Sequence, residues 1–325
     1  MKNKFAWACV AVLAPVLGGV AALAATMEKV TAVIPQNSVF ILNWNGAKDA
    51  GVFSKHDIDL TVDPRPFAGY LAGIPSKQAV ATTYSGIDAI LKMNDGMDLA
   101  VIGGGLTVFQ EVYVPVNSPI KTIADLRGKK IGTQRIGGSD HLAAEAILQA
   151  KGLDLKDVQF VTLGGDEPVR VEMLKKGLVD AVCSVPPGPV RLAREGYNVL
   201  GGPKDLKIGN PISAVALTDA QLKTHRDEAK KVLRAILRGL RFMHERREET
   251  IQIMSRWLSQ TPDVARDSYD SIMPSFSIDG GTVDKTFEFA IESRKATVKT
   301  EKPVLVSQVR DFTLLRELQK ELRLQ

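Results

Sequence analysis

Two glycine-rich turns come closest in this sequence to a motif that does chemistry, namely the binding of a nucleotide. Gly103-Gly104-Gly105 follows a β-rich run, but Val108 stands where the fingerprint G-x-G-x-x-G needs its third glycine. The run from Gly132 to Ser139 has the spacing of a P-loop, but Gly138 replaces the lysine that would reach the terminal phosphates. Neither turn therefore carries a nucleotide-binding motif.

The second turn still predicts a helix that starts at Ser139, directly after a strand. The free backbone N–H groups and the dipole of a helix start can hold an anionic or polar part of a ligand. Alternatively, Ser139 or Asp140 caps its own helix. The two roles are compatible, because one side chain does not satisfy all of the free N–H groups.

The histidines and cysteines form no catalytic or metal-binding motif. The sequence has no H-E-x-x-H, and Ser184 is not part of a G-x-S-x-G. Cys183 lies in an apolar run and is expected in the core. We therefore expect no metal, no cofactor and no enzymatic activity. The histidines are His56, His141, His225 and His244.

The first residues indicate export from the cytoplasm. Lys2 and Lys4 precede an apolar run over residues 5–24, which ends in the small-x-small pattern Ala22-Leu23-Ala24. We predict a signal peptide over residues 1–24, cleavage after Ala24 and a periplasmic mature chain. The alternative is a membrane anchor, because about 20 apolar residues can span a bilayer.

Composition predicts an ordinary folded protein with two lobes. A chain of 325 residues with 45% hydrophobic and 24% charged side chains is too long for one compact core, since single cores stop growing at roughly 250–300 residues. Without the two N-terminal lysines the net charge of +5 falls to +3. That excess is too small to indicate a nucleic-acid partner.

From residue 28 to 202 the sequence alternates β-rich runs with capped helical runs, which is typical of α/β folds with parallel strands. Gly152, Gly177 and Gly196 follow helical runs as left-handed stops. After Pro211 long helices are predicted over residues 218–258 and from Pro262. The predicted strands are 29–34, 58–62, 78–83, 98–102, 111–116, 129–133, 157–162, 179–184 and 197–200, and the segments 111–116 and 211–217 are the expected crossings between lobes.

Three segments resemble the solute-binding proteins of ABC importers: residues 50–60 (AGVFSKHDIDL), 118–132 (SPIKTIADLRGKKIG) and 174–181 (LKKGLVDA) followed by Pro186. The branch they resemble binds taurine, aliphatic sulfonates, nitrate and thiamine-pyrimidine precursors. The resemblance implies a periplasmic-binding-protein type II-like α/β fold with two lobes joined by two crossing strands. It places residues 28–114 in lobe I, 115–213 in lobe II and 214–325 again in lobe I.

In open parallel sheets the ligand lies beyond the carboxyl ends of the strands. The turns after the strands therefore predict the ligand-binding residues, which offer amides, hydroxyls, an aromatic ring and close backbone approach. A sulfonate or nitrate would need a cation such as Arg135 or Lys77, whereas Tyr84, Trp44 and Asp140 would suit a neutral or cationic heterocycle. The predicted site residues are Gln36, Asn37, Tyr84, Ser85, Gly104, Gly105, Ser139, Asp140, Asp166, Pro186 and Pro187.

The resemblance implies a monomeric binding protein that captures a small organic or anionic solute and delivers it to an ABC permease in the inner membrane. An alternative is a periplasmic sensor that presents its ligand to a receptor. A second alternative is an enzyme like the pyrimidine synthase of thiamine metabolism, which shares the fold. That enzyme would need a cysteine-rich iron-binding motif, and Cys183 stands alone in the mature chain.

Overall fold

The computed structural model describes residues 27–35, 42–56, 58–65, 81–83, 99–107, 110–164, 167–185, 188–206, 213–295 and 303–324. The strands are β1 (Glu28–Pro35), β2 (Ile58–Arg65), β3 (Ala81–Thr83), β4 (Leu99–Leu106), β5 (Glu111–Val114), β6 (Lys130–Thr133), β7 (Gln159–Thr162), β8 (Ala181–Ser184), β9 (Asn198–Gly201) and β10 (Ser213–Thr218). All nine predicted strands are confirmed, and β10 is the predicted second crossing.

The helices are α1 (Leu42–Asp49), α2 (Ser139–Ala150), α3 (Glu167–Lys175), α4 (Gly188–Arg194), α5 (Asp219–Thr224), α6 (Arg226–Glu245), α7 (Arg247–Trp257), α8 (Pro262–Ile272), α9 (Asp284–Lys295), α10 (Val306–Val309) and α11 (Thr313–Leu322). Short 3₁₀ turns connect several of these elements. The predicted stops are confirmed, because Gly152, Gly177 and Gly196 have φ values of 82°, 69° and 87°.

Two adjacent small sheets belong to the first lobe, and one five-stranded sheet forms the second. In the first lobe β1 pairs with β2 in parallel, β10 lies between β3 and β4, and β1 contacts β3. In the second lobe the order is β7-β6-β8-β5-β9. Each lobe thus contains one antiparallel strand, β10 or β5, that the chain enters directly from the other lobe.

The two crossing strands fix how the lobes are joined. The chain leaves the first sheet at the end of β4 and enters the second as β5, and it returns from β9 to β10. The fold class predicted from the sequence, two α/β lobes joined by two crossing strands, is confirmed. Rotation of one lobe relative to the other therefore has to change the chain at these two connections.

The helical segment after β10 covers the first sheet. Helix α6 packs against α1 and β4 and buries an apolar stripe that includes Leu233, Ile236 and Leu240. Helix α5 starts in the predicted capping pattern, in which Gln221 N–H donates to Thr218 Oγ1. The predicted long helix is interrupted at His225 and Arg246, whose backbones are not helical. Both residues are polar and lie outside the apolar stripe. The hydrophobic pattern of the sequence therefore does not predict these two helix ends.

Candidate ligand-binding cleft

Seven of the predicted site residues lie outside the described residues. The four that are described divide between the lobes: Gly104 and Gly105 belong to β4, and Ser139 and Asp140 begin α2. Each pair lies where a strand of its own sheet meets the cleft edge. The seven others are Gln36, Asn37, Tyr84, Ser85, Asp166, Pro186 and Pro187.

The cleft edge of the second lobe is formed by the carboxyl ends of β6 and β8, which end at Thr133 and Ser184. Both side chains are fully buried, and neither hydroxyl has a hydrogen-bond partner within the described part of the chain. Strand β5 enters the sheet at the same edge, where Glu111 lies opposite Ser184. Two strand ends and one crossing strand therefore meet here.

Helix α2 begins at this edge, as the sequence predicts, with Gly138 as its N-cap. Gly138 has no side chain that could cap this helix start. A Cβ atom at Gly138 would lie 3.0 Å from Arg135 Cγ and 3.0 Å from Asp140 Oδ1, so the turn is built for glycine. Ser139 is half-buried. An uncapped helix start carries partial positive charge and suits an anionic group.

Asp140 supports this turn from inside the protein. Its side chain is only 5% exposed, and its carboxylate accepts a hydrogen bond from the backbone N–H of Gln134. Arg170 Nε of α3 lies 3.9 Å from Asp140 Oδ2. Burial raises the pKa of Asp140, and the charge of Arg170 opposes that rise. The sequence left Asp140 two roles, support of its own helix start and contact with a ligand. The structure shows the Asp140 carboxylate hydrogen-bonded to the turn before α2. Ligand contact by Asp140 stays a prediction.

Arg170 is a residue that sequence reasoning missed. It is 5% exposed and connects α3 with the start of α2 across the cleft edge. In the sequence it stands in an amphipathic helix beside other charged residues, so nothing marks it as buried. Its value to the site is electrostatic, because it places a guanidinium close to the carboxylate beneath the helix start.

Two further ionisable groups lie on the strands that meet at this edge, Glu111 on β5 and Cys183 on β8. Glu111 accepts a hydrogen bond from the Tyr113 hydroxyl at 3.1 Å, and burial raises the pKa of Glu111. Cys183 is fully buried, and burial followed by the charge of Asp140 raises the pKa of its thiol well above the usual value. The expectation that Cys183 is a core residue is confirmed. A buried thiol with a raised pKa is a poor nucleophile.

In the first lobe, Gly104 and Gly105 bring their backbone close to another part of the protein. Their N–H groups donate to the carbonyl of Gly280 at 2.9 and 3.2 Å. A Cβ atom at Gly105 would lie 2.7 Å from Thr282 Oγ1, and Gly104 has a φ of 89°. These glycines thus permit a close approach of residues 280–282. Contact of Gly104 and Gly105 with a ligand stays a prediction.

Of the five ligand-selecting side chains considered in the sequence, Trp44 and Arg135 are described as well as Asp140. Trp44 is fully buried and stacks on Phe53, with ring centroids 6.1 Å apart, so it is a core residue of the first lobe. Arg135 lies in the turn before α2, and its carbonyl accepts from the Gly138 N–H at 3.0 Å. Arg135 Cγ would lie 3.0 Å from a Cβ atom at Gly138, so the stem of this side chain lies beside the helix start. Lys77 and Tyr84 lie outside the described residues.

Neither a metal cluster nor a membrane span is found in the described ranges. Their His, Cys, Asp and Glu side chains form no group of three or more that could hold a metal ion. No helix there is long and apolar enough to cross a membrane. The predicted signal peptide over residues 1–24 lies outside the described residues.

Comparison with solved structures places the fold. The periplasmic aliphatic sulphonate binding protein SsuA from Escherichia coli has 21% identity and a TM-score of 0.69, with 87% of this chain and 92% of SsuA covered. The nitrate-binding protein NrtA from Synechocystis PCC 6803 has 15% identity and a TM-score of 0.71, with 92% and 90% covered. The desulfurization enzyme DszB has 16% identity and a TM-score of 0.63, with 91% and 100% covered.

These likenesses show a fold that binding proteins and an enzyme share. Among curated proteins, none matches this sequence. A family model described as "NMT1/THI5 like" matches residues 43–250. That range covers more than half of the chain and includes both crossing strands and the start of α2. The chain therefore belongs to the NMT1/THI5-like family.

Proposed function

We propose that this protein is an extracytoplasmic solute-binding protein, which captures a small organic or anionic solute between its lobes and delivers it to an ABC permease. The observation that carries this proposal is the division of the strands into two α/β lobes, which the chain joins by the crossing strands β5 and β10. This architecture allows the lobes to close on a ligand. A ligand that contacts both lobes shifts the hinge equilibrium towards the closed form.

The chemistry of the second lobe favours an anionic ligand, of the sulfonate class. The N-cap of α2 is Gly138, which has no capping side chain, and the stem of Arg135 lies beside it. Asp140 is neutralised from behind by Arg170, so its charge opposes an anion less than a free carboxylate would. SsuA and NrtA, which share the fold, are by name sulfonate-binding and nitrate-binding proteins.

The cellular context follows from this function. A binding protein for an ABC importer works in the periplasm, which agrees with the predicted signal peptide over residues 1–24 and cleavage near Ala24. We expect a monomer whose partner is a permease of the inner membrane. The resemblance places the lobes at residues 28–114, 115–213 and 214–325. We propose that β5 belongs to the second lobe instead, because it hydrogen-bonds within the second sheet.

An enzymatic function is the second candidate, because DszB has the same fold. The described cysteine argues against thiol chemistry, since Cys183 is fully buried with a raised pKa. The described histidines likewise form no metal-binding group with other residues. A binding role is therefore better supported than catalysis.

Native mass spectrometry of the protein as purified tests this function, because a solute-binding protein often retains its ligand. A thermal-shift series with alkanesulfonates, taurine, nitrate and a thiamine-type pyrimidine then identifies the class. Ligand at 100 times its Kd is expected to stabilise the fold by about 2.7 kcal/mol. Stabilisation by the pyrimidine alone would contradict the sulfonate class, and turnover of a bound compound would contradict the binding function.

A further inference from the structure

Helix α8 is fixed to the first lobe by its C-terminal half. Arg247, at the start of α7, forms an ion pair with Asp270, and the Tyr269 hydroxyl donates to the carbonyl of Met243 at 2.7 Å. After α8, the carbonyl of Ser275 accepts the backbone N–H of Thr107, which follows β4, at 2.9 Å. Since α7 packs on α1 and α6, helix α8 moves with the first lobe.

The N-terminal half of α8 instead reaches the second lobe. Asp263 and Asp267 stand four residues apart and therefore face the same side of the helix. Both carboxylates form ion pairs with the guanidinium of Arg194, the last residue of α4. Helix α4 connects β8 with β9 and packs on β9, so it moves with the second lobe. One arginine thus joins two carboxylates across the lobes.

We propose that Arg194, Asp263 and Asp267 form an electrostatic latch that stabilises the present arrangement of the lobes and makes the hinge equilibrium dependent on salt. The three side chains are 42%, 62% and 50% exposed, so water and ions reach them. Exposed ion pairs are weak, and salt screens them. A latch of this strength holds the lobes without locking them.

The ion pairs can affect lobe motion because Arg194 belongs to the second lobe, whereas Asp263 and Asp267 belong to a helix that is fixed to the first lobe. When the lobes rotate about the crossing strands, the distance between α4 and the first two turns of α8 changes. An ion pair within one lobe is not affected by this rotation. Arg234 of α6 with Glu321 of α11 is such a pair, and both helices pack on the first lobe.

The test measures the distance between the lobes in ligand-free full-length mature protein. Spin labels are attached to cysteines introduced at exposed Lys223 of the first lobe and exposed Lys176 of the second, since buried Cys183 does not react. The interlobe distance distribution is compared in the unmodified background, in Arg194→Ala, in Asp263→Asn with Asp267→Asn, in all three changes together, and in the control Arg234→Ala.

We expect Arg194→Ala and the double Asp→Asn variant to change the population ratio of the lobe arrangements equally, by about two- to fivefold at low salt. The triple variant adds nothing further, because all three residues act as one unit. Sodium chloride at about 0.5 M moves the unmodified protein towards the variants. Arg234→Ala leaves the distribution unchanged.

An unchanged distribution in Arg194→Ala, or an equal change in Arg234→Ala, overturns the latch. The readout needs no ligand, so it is independent of the proposed solute-binding function. Circular dichroism of each variant verifies that it is folded, and Arg194→Lys, which keeps the charge, is expected to restore part of the original distribution. A failure of that partial rescue also counts against an electrostatic origin.

Discussion

Single buried residues determine the shape of the cleft edge in both lobes. In the second lobe a buried carboxylate and a buried guanidinium hold the turn before α2, and in the first lobe two glycines admit the loop at residues 280–282. Substitutions at either place are expected to destabilise the protein. A buried charge needs a partner of opposite sign, and the close backbone contact is possible only where no side chain is present. Both can be tested by single substitutions.

Asp140→Asn is expected to destabilise the protein by about 3 kcal/mol, because it removes the negative charge that faces the buried guanidinium of Arg170. Urea unfolding measures the loss. The control is Asp154→Asn, which breaks an ion pair with Lys156 whose side chains are 54% and 78% exposed. That change is expected to cost less than about 1 kcal/mol. Equal losses in the two variants would contradict the role of Asp140.

Gly105→Ala is expected to destabilise the first lobe by about 1–3 kcal/mol. Its Cβ would lie 2.7 Å from Thr282 Oγ1 and 3.0 Å from the carbonyl oxygen of Gly281, so the loop has to move. Gly46→Ala is the control, since the nearest atom to its Cβ is 3.4 Å away and the site is helical. Thermal unfolding measures both losses. Equal losses of stability in Gly105→Ala and Gly46→Ala would contradict the close approach of residues 280–282 to Gly105.

At the scale of the element, charged ladders hold the last helix in place. Glu317 and Glu321 of α11 form ion pairs with Arg226, Lys230 and Arg234 along one face of α6. The spacing of four residues on each helix brings the opposite charges together. Leu314, Leu315 and Leu318 of α11 are buried beneath this ladder. The last helix thus combines an apolar face with a charged edge.

The ladder is expected to lose its effect in acid. Lys230, followed by Arg226, lowers the pKa of Glu317 below its usual 4.5, so the folded state gains stability above pH 4.5 that is lost as the pH falls through the lowered pKa. The stability difference between the unmodified protein and Glu317→Gln, measured by urea unfolding, should therefore be largest near neutral pH and vanish at the lowest pH. A constant difference across that range would contradict this prediction.

At the scale of the whole molecule, function depends on two lobes that share one ligand. The free energy of binding is divided between the contacts that the ligand makes and the closure of the two lobes around it. A substitution that weakens the ligand contacts of one lobe therefore also weakens lobe closure. The start of α2 is the described part of the second lobe that can take part. Ser139 is the first residue of the helix, and the backbone of Gly138 before it is extended. A substitution at Ser139 can therefore remove one backbone N–H group while the helix is kept.

Ser139→Pro is expected to weaken the ligand at least tenfold, or about 1.4 kcal/mol. Proline fits the first helical position and an extended preceding residue, so it removes one N–H without breaking the helix. Ser139→Ala keeps the N–H and should weaken binding less. Titration calorimetry measures affinity, and small-angle scattering measures the reduced compaction. Arg246→Ala in the solvated run at 244–249 should change neither quantity, and the cleft is misplaced if it abolishes binding.

The strand positions, the helix caps, the glycine stops and both crossing strands could be predicted from the sequence, because local periodicity and turn chemistry encode them. Thr218 with Gln221 and the left-handed Gly152 are examples of such local signals. The start of α2 at Ser139 was equally local. The family could also be inferred, since short motifs such as residues 118–132 survive when overall identity is low.

Only the tertiary structure decided which charges are buried and which elements meet across the lobes. Arg170 and Arg194 both stand in short helices that carry other charged residues. One is buried against Asp140, and the other spans the lobes to Asp263 and Asp267 on the surface. The difference comes from which distant segment packs opposite each helix. Such long-range contacts leave no periodic trace in the sequence, because they depend on the path of the whole chain.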